Sequence, residues 1–516
     1  MNLVHALERH AEQRPDHPAL VFEDRTWTYD ELDAEISRLA SGLSDLGVDR
    51  GDRVGVMLPN WPQFHMASHA AWKLGAVEVP INTMLQRDEV AYILGDSATK
   101  VVFADPEATE RILAVRDQLP QLTHVVTVGA PAPAGALGID ELTDGGRDRL
   151  RGPDLDGDDL AVLAYTSGTT GYPKGSMLGH YHVELSMARL RDKLDLDRDD
   201  NVLQVLPCFH SNASIIGIVF GWFLGSTAIL VERFEPVAFA ATVQTHRPAF
   251  FAGVPTLLFD IMNLSDDVEV DFSSVKYVTF GAAATPPHVR RRVEERFDLK
   301  LRQAWGMTEG PNLVTVDALE GEIAYDGVGI PLPHIDVVAV DDEDRVLPAG
   351  EVGELCLQAT TDGPDAGVYR PMLGYWKKPE ESTRALANDR FHTGDVGYVD
   401  ADGVVHLVDR KKDMIIRGGN NIFPAEIERV LVEDPRISEA YVVGIPDERL
   451  GEVPKAYVVP ERDEVITPDE VRRIVSEQLA TFKRLEAAAL ITSEELPRNA
   501  MGKVLKRELR QLDDHG

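Results

Sequence analysis

The stretch Tyr165-Thr-Ser-Gly-Thr-Thr-Gly-Tyr-Pro-Lys-Gly175 gathers three threonines, a serine, three glycines and a lysine directly behind the apolar run Leu160-Ala-Val-Leu-Ala-Tyr165. A loop dense in glycine and hydroxyls can turn backbone N–H groups and side-chain hydroxyls onto phosphate oxygens, and Lys174 adds a point charge. That chemistry asks for a nucleoside triphosphate. The Walker arrangement of kinase-like and motor NTPases does not fit, because Pro173 precedes Lys174 and Gly175 follows it. The chain has only 14 lysines among its 52 Lys and Arg residues, so a lysine inside such a loop is less readily there by chance.

Further short motifs follow in order: Leu206-Pro-Cys-Phe-His210, Gly281-Ala-Ala-Ala-Thr285, Trp305-Gly-Met-Thr-Glu309, Gly374-Tyr-Trp376, Thr393-Gly-Asp395, Asp409-Arg-Lys-Lys-Asp413, Gly418-Gly419 through Pro424-Ala-Glu-Ile-Glu428, and Pro497-Arg-Asn-Ala-Met-Gly-Lys503. Together with the hydroxyl-rich loop, and over essentially the whole chain, they resemble the adenylate-forming superfamily of acyl-CoA synthetases, nonribosomal-peptide adenylation domains and luciferases. Within it the sequence looks like an acyl-CoA synthetase or fatty-acid–CoA ligase. The resemblance implies two half-reactions: a carboxylate attacks the α-phosphate of ATP to give acyl-AMP and pyrophosphate, then a thiol displaces AMP. The protein's part in such a reaction is positioning and charge neutralisation.

The same resemblance implies the roles of individual residues. Thr166, Ser167, Gly168, Thr169, Thr170, Gly171 and Lys174 would hold the β- and γ-phosphates. Thr308 would touch the α-phosphate, and Glu309 would ligate Mg²⁺, a hard ion suited to carboxylate and phosphate oxygens. Ala283, Trp305 and Gly306 would border the nucleotide, with Trp305 offering an aromatic face to adenine. Asp395 would accept both ribose hydroxyls, and Arg410 would contact the same sugar. Lys503 would bridge carboxylate and α-phosphate, and His210 would stand near the reacting carboxylate. Lys412 falls at the hinge position of a small C-terminal domain that rotates between half-reactions, bringing Gly418 and Gly419 against a pantetheine arm. ATP, Mg²⁺ and CoA are thus expected, with a carboxylic acid and CoA as partners, or an acyl carrier protein in place of CoA. A luciferase-type oxygenase and a catalytically inactive binding homologue are the alternatives. Two departures stand out: Gly179 where the family usually has Thr, and Gly367-Val-Tyr-Arg-Pro371 before Gly374.

The acid should be a medium- or long-chain fatty acid or an aryl acid. The stretches expected to line its pocket, Asn212–Gly217, Gly253–Leu258 and Ala282–Ala284, contain no charged residue to pair with a second carboxylate.

The elements that must position these residues are legible as a pattern. Short apolar runs bounded by turn residues, Val54–Met57, Lys100–Phe103, His124–Thr127, Leu160–Tyr165, Ala228–Val231 and Tyr277–Phe280, alternate with amphipathic helices such as Tyr29–Leu46 and Pro287–Phe297. The last three runs lack two-residue alternation and read as buried parallel strands. Residues 327–409 change to shorter pieces separated by Gly, Asp and Pro, an antiparallel or barrel-like subdomain. The fold class is therefore α/β, with a large N-terminal domain of layered α/β subdomains plus a β-rich subdomain, and a small mobile C-terminal α+β domain. The boundaries are 1–410 for the N-terminal adenylate-forming domain and 411–516 for the C-terminal lid.

The chain has 516 residues, 44% of them hydrophobic, and a formal charge of −34. The acidity opposes a nucleic-acid-coating surface, which needs clustered Lys and Arg. Cys208 and Cys356 are the only cysteines and lie far apart, which excludes a disulfide framework and fits a reducing cytoplasm. Cys208 is expected to be a buried thiol without a paired base. The uncharged run Ser214–Val231 is membrane-like in composition but short and unflanked by Lys or Arg, so it is read as a buried core helix followed by a strand, without integral membrane insertion.

Overall fold

The computed structural model describes residues 2–166, 173–265, 268, 270–281, 287–320, 323–410, 413–417, 420–447, 449–462, 464–479, 481–498 and 504–512. The chain divides into two compact units, Met1–Asp336 with Leu357–Phe391 and Val337–Cys356 with His392–Gly516.

In the first unit the described residues form a seven-stranded and a nine-stranded sheet. The inner strands are short, largely buried and pair in parallel, as continuous apolar runs require when helices cover both faces. In the smaller sheet Leu160–Thr166 pairs in parallel with Val77–Pro80 on one side and antiparallel with Lys174–Gly179 on the other. The parallel reading therefore holds for one edge of Leu160–Thr166, and the hydroxyl-rich loop joins two antiparallel neighbours. In the larger sheet Tyr277–Phe280 lies between Phe250–Gly253 and Leu301–Trp305, parallel to both. The helices Tyr29–Asp45 and Pro62–Lys73 share one hydrophobic core with strands of both sheets, including Leu20, Val56, Phe103, Val126 and Leu230. Thr28 and Glu31 form a reciprocal cap that starts the first of these helices.

The uncharged run does not form one helix. It breaks into Ser211–Ser214, a π-helical turn Ile215–Val219 and Phe220–Leu224, then enters the nine-stranded sheet as Ala228–Leu230. The break has a cause: the side chain of Gln204 accepts the Ile218 N–H at 2.8 Å, and a Cβ on Gly217 would lie 2.3 Å from that same Gln204 oxygen. Among the described residues no helix is long and apolar enough to cross a membrane.

The second unit carries most of the four-stranded sheet Ile335–Val340, Gly353–Ala359, Phe391–Val399 and Val405–Arg410, in that order. It also carries a five-stranded sheet in which Ile437–Asp447 and Gly451–Pro460 form a long antiparallel pair. Helices Pro424–Val432 and Pro468–Gln478 pack on that pair through Ile427, Val430, Leu431, Val471, Ile474 and Val475. Both start with Pro in the first turn, where its missing N–H costs no hydrogen bond.

Charged groups are buried in the first core as well. Lys73, with a fully buried side chain, reaches Glu8 at 2.7 Å and Asp33 at 2.9 Å. Glu78, on strand Val77–Pro80, is sealed from solvent with the Ser68 hydroxyl donating to it at 2.8 Å, and burial pushes its carboxyl up to about 7. Between the unfolded carboxylate range and that value, the folded chain holds a proton that the unfolded chain releases. Glu78 thus contributes stability below about pH 4.5 that is lost as pH rises through 7. Buried His69 and His180, both pushed down to about 3 by burial, act in the opposite sense, gaining as pH rises to 6.5. Glu78→Gln removes only the first effect. Its stability relative to the parent chain should rise by about 2–3 kcal/mol between pH 5 and pH 8. Urea denaturation at the two pH values checks this, and a pH-independent difference would show that Glu78 is ionised throughout.

Candidate active site

Strand Leu160–Thr166 ends with Thr166 opposite Lys174, the first residue of the returning strand Lys174–Gly179. Ser167, Gly168, Thr169, Thr170 and Gly171 lie between them, outside the described residues. The mouth of this loop is held from one side by the segment around Gly374-Tyr-Trp376. Leu373 N–H donates to Met177 O at 2.9 Å, Met177 N–H to Gly374 O at 3.0 Å and Trp376 N–H to Gly175 O at 2.7 Å. Gly374 has φ +131°, and a Cβ there would sit 3.0 Å from Ser382 Oγ, which accepts the Tyr375 N–H at 2.8 Å. Asp96 ties the far side: its carboxylate accepts the Tyr165 hydroxyl at 2.6 Å and its carbonyl accepts Trp376 Nε1–H at 3.0 Å.

Glu309 arrives from the other sheet. Strand Leu301–Trp305 leads into a tight turn closed by Val314 N–H to Trp305 O at 2.9 Å and Asn312 N–H to Met307 O at 2.8 Å. Thr308 and Glu309 stand on this turn, half-buried, and no helix follows them. Gly306 is required by close approach, because a Cβ would fall 1.7 Å from the Asn312 carbonyl oxygen. Trp305 is buried at 6% exposure and Gly306 beside it is exposed. The base of the turn is pinned by Asp317, which accepts Gln303 N–H at 2.7 Å and pairs with Arg290 at 2.6 Å, both side chains almost fully buried. Arg290 also donates to Leu301 O at 2.7 Å. Gly281, at the end of strand Tyr277–Phe280, packs so closely on the neighbouring strand Leu301–Trp305 that a Cβ would lie 2.4 Å from Ala304 O; Ala283 beyond it lies outside the described residues.

These segments converge on one carboxylate. Glu309 Oε1 accepts the Thr166 hydroxyl at 3.0 Å and the Tyr375 hydroxyl at a longer 3.3 Å, and its backbone carbonyl accepts Met372 N–H at 2.9 Å. Lys174 Nζ stands 5.0 Å from the centre of the Tyr375 ring, a cation–π distance. Burial, then Glu309, pushes the Tyr375 phenol up, so it stays a donor at neutral pH. The result is a carboxylate, two hydroxyls and an ammonium at the mouth of a glycine-rich loop, a set of hard donors and one cation suited to phosphate oxygens and a hard metal ion.

His210 is held elsewhere in the same unit. Its loop is tied down by Asn60, whose Nδ2–H groups reach Leu206 O at 3.1 Å and Val231 O at 3.0 Å and whose Oδ1 accepts Cys208 N–H at 2.8 Å. Burial pushes the His210 imidazole down to about 4, and its Nε2 is buried without a hydrogen-bond partner among the described residues. Cys208 is fully buried, accepts a hydrogen bond from Gln204 at 3.0 Å and has its thiol pushed up by burial; against the expectation of no paired base, His65 Nε2 stands 3.4 Å from its sulfur, with burial holding that imidazole well below its usual range. Gly179 has a local reason too: a Cβ would lie 2.6 Å from Gly157 O, so no Thr fits this backbone.

In the second unit Asp395 and Arg410 are directly opposite one another on paired antiparallel strands. Asp395 is buried, and its N–H donates to Thr393 Oγ1 at 3.0 Å, which in turn donates to Leu355 O at 2.6 Å. Lys412, Gly418, Gly419 and Lys503 lie outside the described residues. Sequence reasoning named Gly374-Tyr-Trp376 but gave Tyr375 no role, and it missed Asp96, Ser382, Asn60 and Gln204. Asp96 meets Trp376 across 280 residues and Asn60 meets Cys208 across 148, whereas Ser382 and Gln204 have nearer partners but stand in no motif that marks them.

The model of the AMP-binding enzyme family matches residues 7–376, and that of the AMP-binding enzyme C-terminal domain matches residues 426–503. A feruloyl-CoA synthase of an Amycolatopsis species is 35% identical over 506 residues, covering 98% of this chain and 97% of that protein. The long-chain-fatty-acid–CoA ligase FadD13 of Mycobacterium tuberculosis is 32% identical over 500 residues, covering 95% of this chain and 93% of its own. Among solved structures, that of the anthranilate CoA ligase AuaEII in complex with anthranoyl-AMP is similar with a TM-score of 0.88 at 28% identity, covering 100% of this chain and 98% of that one.

Gly306→Ala should force the Trp305–Val314 turn open. We expect a loss of about 1–3 kcal/mol in stability together with weakened nucleotide binding. Thermal denaturation with and without ATP measures both, and an unchanged melting temperature would show that the turn relaxes at no cost.

Proposed function

The chain belongs to the AMP-binding enzyme family, and from that membership we propose the reaction it runs: a carboxylic acid and ATP give acyl-AMP and pyrophosphate, and the thiol of CoA then displaces AMP to give acyl-CoA. The observation that carries this reading is the near-complete coverage of the chain by CoA-ligating relatives, joined to a phosphate-loop mouth that places Thr166, Lys174, Glu309 and Tyr375 together. The enzyme is an AMP-forming acid–thiol ligase. Its acid is an aryl or a medium- to long-chain fatty acid, supported by feruloyl- and fatty-acid-activating relatives and by the uncharged stretches Asn212–Gly217, Gly253–Leu258 and Ala282–Ala284.

We assign the phosphates to the loop from Thr166 to Lys174, the α-phosphate to Thr308, adenine to Trp305 with Ala283 and Gly306, and the ribose to Asp395 with Arg410. The Glu309 carboxylate with the Thr166 hydroxyl beside it fits Mg²⁺, which takes oxygen donors and would offset phosphate charge when bound. His210 faces the acid, Lys503 bridges carboxylate and α-phosphate, and Gly418 and Gly419 leave room for pantetheine. Residues 411–516 act as the lid to residues 1–410, with Lys412 as hinge. We assign the acid activation to fatty- or aryl-acid metabolism in the cytoplasm, with no disulfide present among the described residues.

Incubating the purified protein with ATP, Mg²⁺ and a pool of fatty and aryl acids, with and without CoA, should yield one acyl-CoA by mass spectrometry. Acyl-AMP that persists despite CoA would assign the second step to a carrier-protein thiol, and neither product would overturn the reading. Lys503→Ala should slow acyl-AMP formation by roughly 10²-fold or more while largely sparing thioesterification of supplied acyl-AMP; equal loss of both steps would remove the lid rotation. Glu309→Gln should raise the Mg²⁺ concentration needed for half-maximal pyrophosphate release by about ten-fold or more, and an unchanged requirement would take Glu309 out of the metal site.

A further inference from the structure

Outside the site described above, one cluster in the second unit brings together three different metal-binding side chains. Asp344, Cys356 and His392 each present a ligand atom, and these atoms all lie within 4.8 Å of one another. Cys356 Sγ is 3.4 Å from His392 Nδ1. His392 Nε2 is 3.7 Å from the Asp344 carboxylate, and its Nδ1 is 3.6 Å from that of Glu354. Cys356 Sγ, at a distance that is also that of a sulfur hydrogen bond, and the Glu354 carboxylate lie on the Nδ1 side of this imidazole, and the Asp344 carboxylate lies on its Nε2 side, where the nitrogen is buried with no hydrogen-bond partner among the described residues.

A cation shared by Cys356 Sγ and His392 Nδ1 would set the same sulfur–nitrogen separation. In a tetrahedral zinc site with Zn–S of about 2.3 Å and Zn–N of about 2.0 Å, sulfur and nitrogen stand about 3.5 Å apart. The separation of 3.4 Å matches it. The donor set of one thiolate, one imidazole and carboxylate selects a borderline-soft divalent ion over Mg²⁺ or Ca²⁺. Cys356 is fully buried, whereas the Asp344 and His392 side chains retain 18% and 17% exposure, which leaves an entry path from solvent. The three ligands also lie on different pieces of chain: Asp344 in the turn after strand Ile335–Val340, Cys356 inside Gly353–Ala359 and His392 inside Phe391–Val399.

We propose that Asp344, Cys356 and His392 form a binding site for a zinc-class divalent cation, with Glu354 as a neighbouring carboxylate that completes or orients it. The site is distinct from the Glu309 position and independent of the ligase reading. It cross-links the turn at Asp344 to the two strands that carry Glu354 and Thr393–Asp395. Those strands are already joined by Gly394 N–H to Glu354 Oε1 at 3.2 Å. An ion bound there therefore braces the stretch that presents Asp395.

The experiment uses the untagged full chain, stripped with chelator and titrated with Co²⁺ as the spectroscopic stand-in for Zn²⁺. One equivalent should bind with a thiolate-to-cobalt charge-transfer band, and Zn²⁺ should displace it. Only two cysteines exist in the chain, so the band can be assigned: Cys356→Ser should abolish it and Cys208→Ser should leave it intact. Asp344→Asn keeps the thiol and the imidazole and should weaken Co²⁺ binding at least about ten-fold while the band persists at saturation. Zn²⁺ should raise the melting temperature of the parent chain and of Cys208→Ser but not of Cys356→Ser, with far-UV circular dichroism confirming that each variant is folded. Absence of a charge-transfer band in the parent chain, or a band that survives in folded Cys356→Ser, overturns the proposal.

Discussion

One carboxylate sets the geometry of the first unit. Glu309 has to stand where the C-terminal ends of strands from two different sheets meet, because its partners come from Leu160–Thr166 in one and its own backbone from Leu301–Trp305 in the other. Open α/β sheets bind ligands outside the carboxyl ends of their strands, and here two such ends face a common point. A flexible acidic side chain would not hold that point unaided. The Thr166 and Tyr375 hydroxyls fix it from two directions, and the Met372 N–H fixes its backbone.

Each of those contacts is itself pinned by a buried polar group, which distributes the positioning through the core. Asp317 and Arg290 lock the base of the Trp305–Val314 turn, Asp96 locks Tyr165 to the Trp376 segment, and Ser382 locks Tyr375. A buried ion pair such as Arg290–Asp317 contributes little net stability, since desolvation offsets most of the attraction. Burial pushes the Asp317 carboxyl up while Arg290 and the Gln303 N–H pull it down. What such a pair supplies is a unique geometry, with the guanidinium holding Leu301 O and the carboxylate holding Gln303 N–H on the same strand. The close approaches at Gly281 and Gly306 complete that geometry by letting backbone meet backbone where a side chain would intervene.

The parts of this arrangement that were legible in the sequence are contiguous. The glycine- and hydroxyl-rich stretch follows a buried strand, Trp305-Gly-Met-Thr-Glu309 follows another, and Thr393-Gly-Asp395 lies on a third, so short motifs on strand ends identified the chemistry and its order. The strands themselves were readable because full burial removes polar alternation. What was not readable depends on single polar residues with no motif around them, some of which meet partners across long separations. Asn60 and Gln204 are each one amide in an apolar context, and nothing around them reveals that they organise the loop holding Cys208 and His210. Likewise the run Ser214–Val231 reads as one unbroken helix followed by a strand, and the π-helical turn arises where the Gln204 oxygen takes the Ile218 N–H from the helix ladder. Gly179 looked like the loss of a hydroxyl; the neighbouring Gly157 carbonyl makes it a steric requirement instead.

The electrostatics of His210 constrain how charge is handled in the proposed first half-reaction. A ring whose ionisation is pushed down to about 4 by burial is neutral at physiological pH, so it cannot offer an incoming carboxylate a compensating positive charge. It can offer a hydrogen bond, because its Nε2 is buried with no partner among the described residues. Neutralising the carboxylate and the phosphates then falls to the cations, Lys174 beside Tyr375 and, on the assignment above, Lys503 with the ion at Glu309. On the proposed assignment these tasks are separate: burial disfavours a protonated imidazole at His210, and the charge-bearing groups Lys174 and Glu309 stand at the polar mouth of the loop.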